Sequence, residues 1–230
     1  MKQRQKKQIT VLKLWNKMMK MILIVTLGFE EKFALRAMMR RGIKEGDKLI
    51  ALLPQKGDPR GEKAFLTLKQ TLLNMLPKLE VEKIEINVQD PYGAISSLRK
   101  ILKSLSLKGD ELILNISGGQ RLLIIETLAA ALSLNLGNLK FELETEDSSL
   151  YFTSSLDIML PMDLDKLDLE ILKKIAEKGI IKLTDLLDKI EIPKTTLWRK
   201  LNRLAELKLL EKDKDNYILS DLGRSRVESA

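Results

Sequence analysis

Apolar positions in the first two thirds of the chain fall into short blocks that alternate between two kinds of spacing. Met21–Leu27 is an apolar run that ends at Gly28, the pattern of a strand buried on both faces of a parallel sheet. An amphipathic stretch over 30–42 follows, then a second short strand at Lys48–Leu53, stopped by Pro54. The loop Gln55–Gly61 leads into a helix over 62–76, which Pro77 breaks. Val81–Val88 alternates apolar and polar residues and predicts a third strand. Asp90-Pro91 opens a helix over 92–106, Glu111–Ile116 is a fourth strand, and Ser117-Gly118-Gly119 turns into a helix reaching Leu134. Leu139–Leu143 is a fifth strand, and Leu150–Phe152 with Leu156–Met159 forms a sixth or a hairpin. Prolines 54, 59, 77, 91 and 161 fall between these elements. The βαβαβαβαβ order predicts an α/β domain over 21–160, with a Rossmann-like, mostly parallel sheet and helices on both sides.

After a short acidic link, 161–166, the pattern changes. Leu167–Lys178 predicts a helix closed by Gly179, Lys182–Ile190 a second, and 193–208 a third with Leu197, Leu201 and Leu204 on its inner face. Short strands at Leu209–Lys212 and Tyr217–Leu219 and a last helical turn at Leu222–Val227 complete 167–230. Three helices and a two-stranded wing are the winged helix-turn-helix arrangement.

Composition narrows the chemistry. With no cysteine and no histidine, disulfides, thiolate zinc sites, Ser-His-Asp and Cys-His catalysis and histidine metal ligands are all excluded. No metal or other cofactor is expected, and the chain is read as a binding protein, not an enzyme. The net charge of +8 suggests nucleic acid, but it is uneven. Residues 1–20 hold seven Lys/Arg and no acid, 21–165 sum to −2, and 166–230 to +3. The excess therefore sits in an N-terminal extension, expected to be unstructured. It is either a leader from an upstream start codon, with Met21 as the true start, or a flexible DNA-contacting arm. No run reaches the roughly 18 apolar residues of a membrane helix, which predicts a cytoplasmic protein. The richness in Lys, Glu, Leu and Ile suits a thermophile.

Two places carry candidate chemistry. On the third C-terminal helix, the face opposite the leucine stripe presents Thr195, Arg199 and Asn202. Lys194 and Trp198 flank one side, and Thr196, Lys200 and Arg203 the other. Such a face suits a DNA major groove, with Lys and Thr near the helix start on phosphates and Arg199 at base edges. Lys212 and Lys214 on the wing would touch the backbone. The same residues also describe a solvated face or a protein-contact surface.

In an open α/β sheet, ligands bind beyond the carboxyl ends of the strands. There the first strand ends Thr26-Leu27-Gly28-Phe29, the third Asn87-Val88-Gln89-Asp90, and the fourth Asn115-Ile116-Ser117-Gly118-Gly119-Gln120-Arg121. The last is the most informative. Its glycines permit close approach to the backbone, the following helix offers free N–H groups, and Ser117, Gln120 and Arg121 add polar contacts. The set suits a phosphate, although Gly-Gly at a strand–helix turn also serves plain tight geometry. There is neither a Gly-x-Gly-x-x-Gly turn after the first strand nor a Walker A pattern, which disfavours ordinary NAD binding and P-loop hydrolysis.

The Thr26–Phe29 turn, the Ser117–Arg121 turn and the C-terminal winged helix, in that order, resemble the CRISPR-associated Rossmann-fold (CARF) regulators, especially the archaeal winged-helix type. The resemblance covers 21–230. It implies a homodimer that senses a cyclic oligoadenylate, commonly cyclic tetra-adenylate, across its two-fold axis and binds double-stranded DNA at CRISPR-associated promoters or repeat arrays. By position it puts Thr26, Leu27, Gly28 and Phe29 on one side of the ligand pocket and Ser117, Gly118, Gly119, Gln120 and Arg121 on the other, with Asn87 and Gln89 nearby. Some relatives carry a HEPN ribonuclease with an Arg-x4–6-His pattern, which a chain without histidine lacks. Others cleave their own ligand, so an enzyme degrading cyclic oligonucleotides stays open beside the regulator, as does a metabolite-sensing repressor unrelated to CRISPR. From the sequence, Gly119→Val is expected to block the ligand face while leaving the strand intact. The helix over 120–134, apolar nearly all round, is expected to be covered by a second copy.

Overall fold

The computed structural model describes residues 20–107, 110–134 and 136–228. The basic extension assigned to 1–20 lies outside the described residues except for Lys20. The chain divides into two compact units, the first ending at Leu160 and the second beginning at Pro161.

In chain order the first unit contains β1 (Met21–Thr26), α1 (Lys32–Arg41), β2 (Lys48–Pro54), α2 (Pro59–Met75), β3 (Glu80–Ile86), α3 (Pro91–Ser106), β4 (Glu111–Asn115), α4 (Arg121–Leu132), β5 (Leu139–Glu144), β6 (Tyr151–Ser155) and a 3-10 turn at Leu156–Met159. The strand order is β3-β2-β1-β4-β5-β6. The first five strands run parallel and β6 returns antiparallel along β5. This is the Rossmann-like, mostly parallel sheet that the alternation of blocks predicts. Strand order reverses between β1 and β4, at the centre of the sheet.

The apolar runs are explained by two layers. Ile22 and Ile24 of β1 face the α3/α4 side, packed with Leu98, Leu102 and Leu123. Leu23 and Val25 face the α1/α2 side, with Ala37, Leu68 and Leu72. Burying each such Leu or Ile is worth about 1.5–3 kcal/mol, so a central strand is apolar throughout. β3 closes the sheet as an edge strand, which is why its apolar residues alternate with Glu80, Glu82 and Glu85.

Several boundaries differ from the sequence expectation, among them the end of β3, which is Ile86 instead of Val88. α2 begins at Pro59 instead of residue 62, because Asp58 caps it by accepting from the Arg60 N–H and Pro59 takes the first helical position. In the first unit only one strand, β6, follows β5. Ser155 and Asp157 turn the chain there, and Leu156 enters the core through the 3-10 turn. The helix predicted to reach Leu134 stops at Leu132.

The second unit contains α5 (Lys166–Lys178), β7 (Ile180–Lys182), α6 (Leu183–Leu187), α7 (Lys194–Glu206), β8 (Leu210–Asp213), β9 (Asn216–Leu219) and α8 (Asp221–Glu228). α5 opens with a capping box between Asp165 and Asp168. β7 pairs antiparallel with β9, and β9 with β8. The sequence reading missed β7, since three residues are too few to show a period, and it made α6 too long. Leu197, Leu201 and Leu204 are fully buried with Ile171, Leu172 and Ile175 of α5, as their spacing predicts. Among the described residues no helix is long and apolar enough to cross a membrane.

Candidate functional site

The turns after β1 and β4 meet at the reversal of strand order. A Cβ on Gly28 would lie 2.9 Å from the Gly119 nitrogen, and one on Gly119 would lie 3.0 Å from Cβ of Thr26 and 3.2 Å from its carbonyl carbon. Gly119 also has φ +109, a conformation that L side chains rarely adopt. Both glycines therefore let the two turns pack on each other. This corrects the expectation that Gly119→Val would act on a ligand alone. Thr26 is buried, and its hydroxyl donates a hydrogen bond to the Gly118 carbonyl. Leu27 is buried too, so of the first turn only Gly28 and Phe29 have substantial exposure.

Beyond these turns lies an open cleft of about 910 Å³. Leu27, Gly28 and Phe29 line one side and Ser117, Gly118, Gly119, Gln120 and Arg121 another, so the structure brings together nine of the eleven residues the sequence nominates, Thr26 acting from behind. The remaining two are apart from it. Gln89 borders a smaller hollow beside Gln120 and Leu122. Asn87 is exposed and accepts from the Gln89 N–H. A third wall was not foreseen: Pro54, Lys56, Gly57, Asp58 and Gly61, from the end of β2 through the start of α2. The signal was present in Pro-Gln-Lys-Gly-Asp-Pro, a turn at a strand end. What makes it part of the site is the pairing of β2 with β1.

The charges of the cleft are locally sorted. Glu30 pairs with Lys32, Asp58 with Arg60, and both Glu62 and Glu85 with Lys83. Among the described residues, Lys56, Arg121 and Glu146 make no ion pair, so two cations and one carboxylate of the cleft are left unpaired. Arg121 is exposed at the first turn of α4, whose N-terminus no side chain caps. Free N–H groups, the positive helix end and a cation thus converge at one end of the cleft. No group of three or more Asp or Glu among the described residues is placed to hold a metal.

Ser117 is fixed from two sides. Its N–H donates to Asn115 Oδ1 at 3.2 Å, and its Oγ accepts from the Glu144 N–H at 2.9 Å. Its hydroxyl proton remains available to donate. Asn115 in turn donates to the buried Glu142 at 2.8 Å. Glu142 pairs with Arg41, and Glu144 with Arg36 and Arg40. Burial alone would raise the pKa of Glu144, but hydrogen bonds from Arg40, Ser148 and Arg36 outweigh it and lower the value. An ionic layer between α1 and β5 therefore holds the Ser117 turn in place.

On α4, Leu123, Glu126, Thr127, Ala130 and Ala131 are buried within the first unit, whereas Leu122 and Ile125 are exposed at 39% and 63%. Both carboxylate oxygens of Glu126 are buried without a hydrogen-bond partner.

In the second unit, Lys194, Thr195, Trp198 and Arg199 are exposed along α7, with Thr196 and Asn202 half-buried. Two residues placed on the same surface by sequence are engaged elsewhere. Lys200 binds Asp165 and, at 3.0 Å, Asp168. Arg203 binds Asp168 at 3.0 Å and the Asp163 carbonyl at 2.7 Å. Burial opposes the charge of Lys200, yet hydrogen bonds to Asp165 and Asp168 outweigh it and raise the pKa. The hydrogen bond from Lys200, with one from the Asp168 N–H, lowers Asp165 to about 2. Lys212 lies over the Tyr217 ring, and Lys214 is exposed in the β8–β9 turn with φ +56.

Residues 21–155 match the family described as the Csa3 CRISPR-associated Rossmann-like domain. No curated protein matches the chain. Among solved structures, protein VC1899 from Vibrio cholerae is similar with a TM-score of 0.47 at 11% identity, over 90% of this chain and 64% of its own. Enterococcus italicus Csm6, bound to cyclic hexa-2'-fluoro-hexa-dAMP, gives 0.48 at 11% identity, over 83% of this chain and 49% of its own. A type III CRISPR defence DNA nuclease activated by cyclic oligoadenylate gives 0.39 at 10%, over 70% of this chain and 28% of its own. The chain spans less than two thirds of the length of each.

Proposed function

The chain belongs to the Csa3 CRISPR-associated Rossmann-like family, and from that premise we propose that it is a ligand-gated transcription regulator of CRISPR-associated genes or repeat arrays. Its first unit senses a cyclic oligoadenylate, with cyclic tetra-adenylate the favoured ring. Its second unit is a winged helix-turn-helix that binds double-stranded DNA. The carrying observation is the meeting of the β1 and β4 turns at the reversal of strand order, which opens a cleft ending at an uncapped helix N-terminus with two unpaired cations. That end suits a phosphate: backbone donors supply directed hydrogen bonds, and Arg121 and Lys56 supply charge that the domain as a whole lacks.

A cyclic oligoadenylate is nearly symmetric, and its matching receptor is two copies of one cleft facing across a two-fold axis. The exposed Leu122 and Ile125 on α4, next to Arg121, support a homodimer built close to that axis. The protein acts by binding, with no turnover of the ligand. On the second unit, Thr195 and Arg199 of α7 read the major groove, Asn202 assists, and Lys194 and Lys214 hold phosphates.

The test is a binding screen of purified protein against cyclic and linear oligoadenylates of four and six residues, by calorimetry, with mass spectrometry of the recovered ligand. Tight binding of an intact cyclic ligand by a protein that light scattering finds dimeric is the expected result. No cyclic ligand bound, or conversion to linear product, would refute the reading.

A further inference from the structure

The cleft has an aromatic side as well as a phosphate side. We propose that Phe29, backed by Arg60 and Asp58, is a clamp that stacks on the nucleobase of the nucleotide whose phosphate lies at the N-terminus of α4. The proposal rests on the reading above, that the cleft takes an oligonucleotide, and adds how the base is held.

Phe29 lines the cleft and is 56% exposed. A singly exposed phenylalanine needs no explanation by itself, but this one is held. The Arg60 guanidinium carbon lies 3.9 Å from the ring centroid. The guanidinium is fixed in turn by two bonds to Asp58, Nε to Oδ1 at 3.0 Å and Nη2 to Oδ2 at 2.8 Å. Asp58 is itself anchored as the cap of α2, accepting from the Arg60 N–H at 2.8 Å. The loop that carries this pair sits against the turn that carries the ring: a Cβ on Gly61 would be 3.7 Å from the Gly28 carbonyl oxygen. The hydrogen bond from Arg60 holds the Asp58 carboxyl down at about 2, so the pair stays charged at any ordinary pH.

This arrangement has consequences for recognition. A guanidinium neutralised by its own carboxylate is a poor phosphate ligand, so the phosphates are left to Arg121 and Lys56. A planar cation on one side of Phe29 restrains the ring, so a base that stacks on it has little motion left to freeze out. Stacking reads a π-face and favours large bases, which suits adenine. Phosphate donors on one side of the cleft and a restrained ring on another distinguish a nucleotide site from a plain anion site.

The experiment uses the full chain and cyclic tetra-adenylate. Phe29→Leu is expected to weaken binding about ten- to a hundred-fold, the scale of one stacked base, with an unchanged melting temperature. Phe29→Tyr, which keeps the ring, should bind within about threefold of wild type. Arg60→Met should weaken binding roughly two- to fivefold. Phe29→Trp places a reporter in the clamp, and its emission, corrected with wild type for the two native tryptophans, should be quenched saturably by the ligand. Wild-type binding with Phe29→Leu unaffected, or no quenching at saturation, overturns the clamp while leaving the regulator intact. Wild type that binds no cyclic oligoadenylate overturns the underlying reading, and the clamp with it.

Discussion

A Cβ at position 119 has no room: the backbone and Cβ of Thr26 lie 3.0–3.3 Å from where it would stand, at a φ of +109. Gly119→Ala should therefore lower stability by at least about 1 kcal/mol, and Gly119→Val by more, seen as a fall in melting temperature without any ligand. Loss of ligand binding in either variant would report on the fold. Arg121→Ala is the informative change, since the side chain is exposed and unpaired, and it should weaken ligand binding at an unchanged melting temperature. Glu126 poses the opposite problem. Its carboxylate is buried with no hydrogen-bond partner, and desolvation, with the charge of Asp90, raises its pKa above 4.5. A native state with the higher pKa holds the proton more tightly than the unfolded chain. Its stabilising effect is thus complete below pH 4.5 and is lost as pH rises through the folded value. Glu126→Gln should be more stable than wild type at pH 8 and should flatten the decline above pH 4.5, measured by thermal melts across pH. A variant that melts lower than wild type at pH 8 would mean that the carboxylate has a partner in the assembled protein.

At the scale of elements, α7 on the proposed reading carries two sets of residues, one facing DNA and one facing α5. Arg199 is exposed, whereas Lys200 and Arg203 reach the start of α5, where Asp168 is fully buried. Lys200→Ala should cost about 1–2 kcal/mol by removing one of the two cations that face the buried Asp168 carboxylate, and should lower the melting temperature with any loss of DNA binding following from that. Arg199→Ala should leave the melt alone and weaken specific DNA binding by about 1–3 kcal/mol. Equal melts for the two variants would show that the link between α5 and α7 carries no stability. Spacing revealed the buried leucine stripe of α7, because a helix has one period and the stripe belongs to one segment. It could not reveal that Lys200 turns toward Asp165, 35 residues away, since pairing across elements leaves no mark on local spacing. The same limit explains the cleft. The Ser117–Arg121 turn was legible as a strand–helix junction with glycines, but the wall from Pro54 to Gly61 was not. It joins the site only because β2 lies beside β1. Likewise β7 is three residues long, below the length at which alternation can be seen, and exists through its pairing with β9.

At the scale of the whole molecule, a sensor unit and a DNA-binding unit on one chain become a regulator only if the ligand prefers one of two states that differ in DNA affinity. The required difference is modest: a tenfold change in DNA affinity corresponds to about 1.4 kcal/mol of coupling. Linkage makes the coupling reciprocal, so saturating operator DNA must change the affinity for cyclic oligoadenylate by the same factor and in the same direction. Arg121→Ala then separates the parts. It should weaken ligand binding, leave DNA affinity without ligand at the wild-type value, and give the full shift in DNA affinity once ligand is raised enough to saturate the variant. Lys214→Ala should do the converse, weakening DNA of any sequence and reducing the salt dependence of binding while ligand affinity in the absence of DNA stays fixed. Paired titrations, ligand with and without DNA and DNA with and without ligand, measure both sides of the cycle. Tight ligand binding with DNA affinity unchanged within twofold would leave two independent binding units on one chain and remove the ligand-gated regulator.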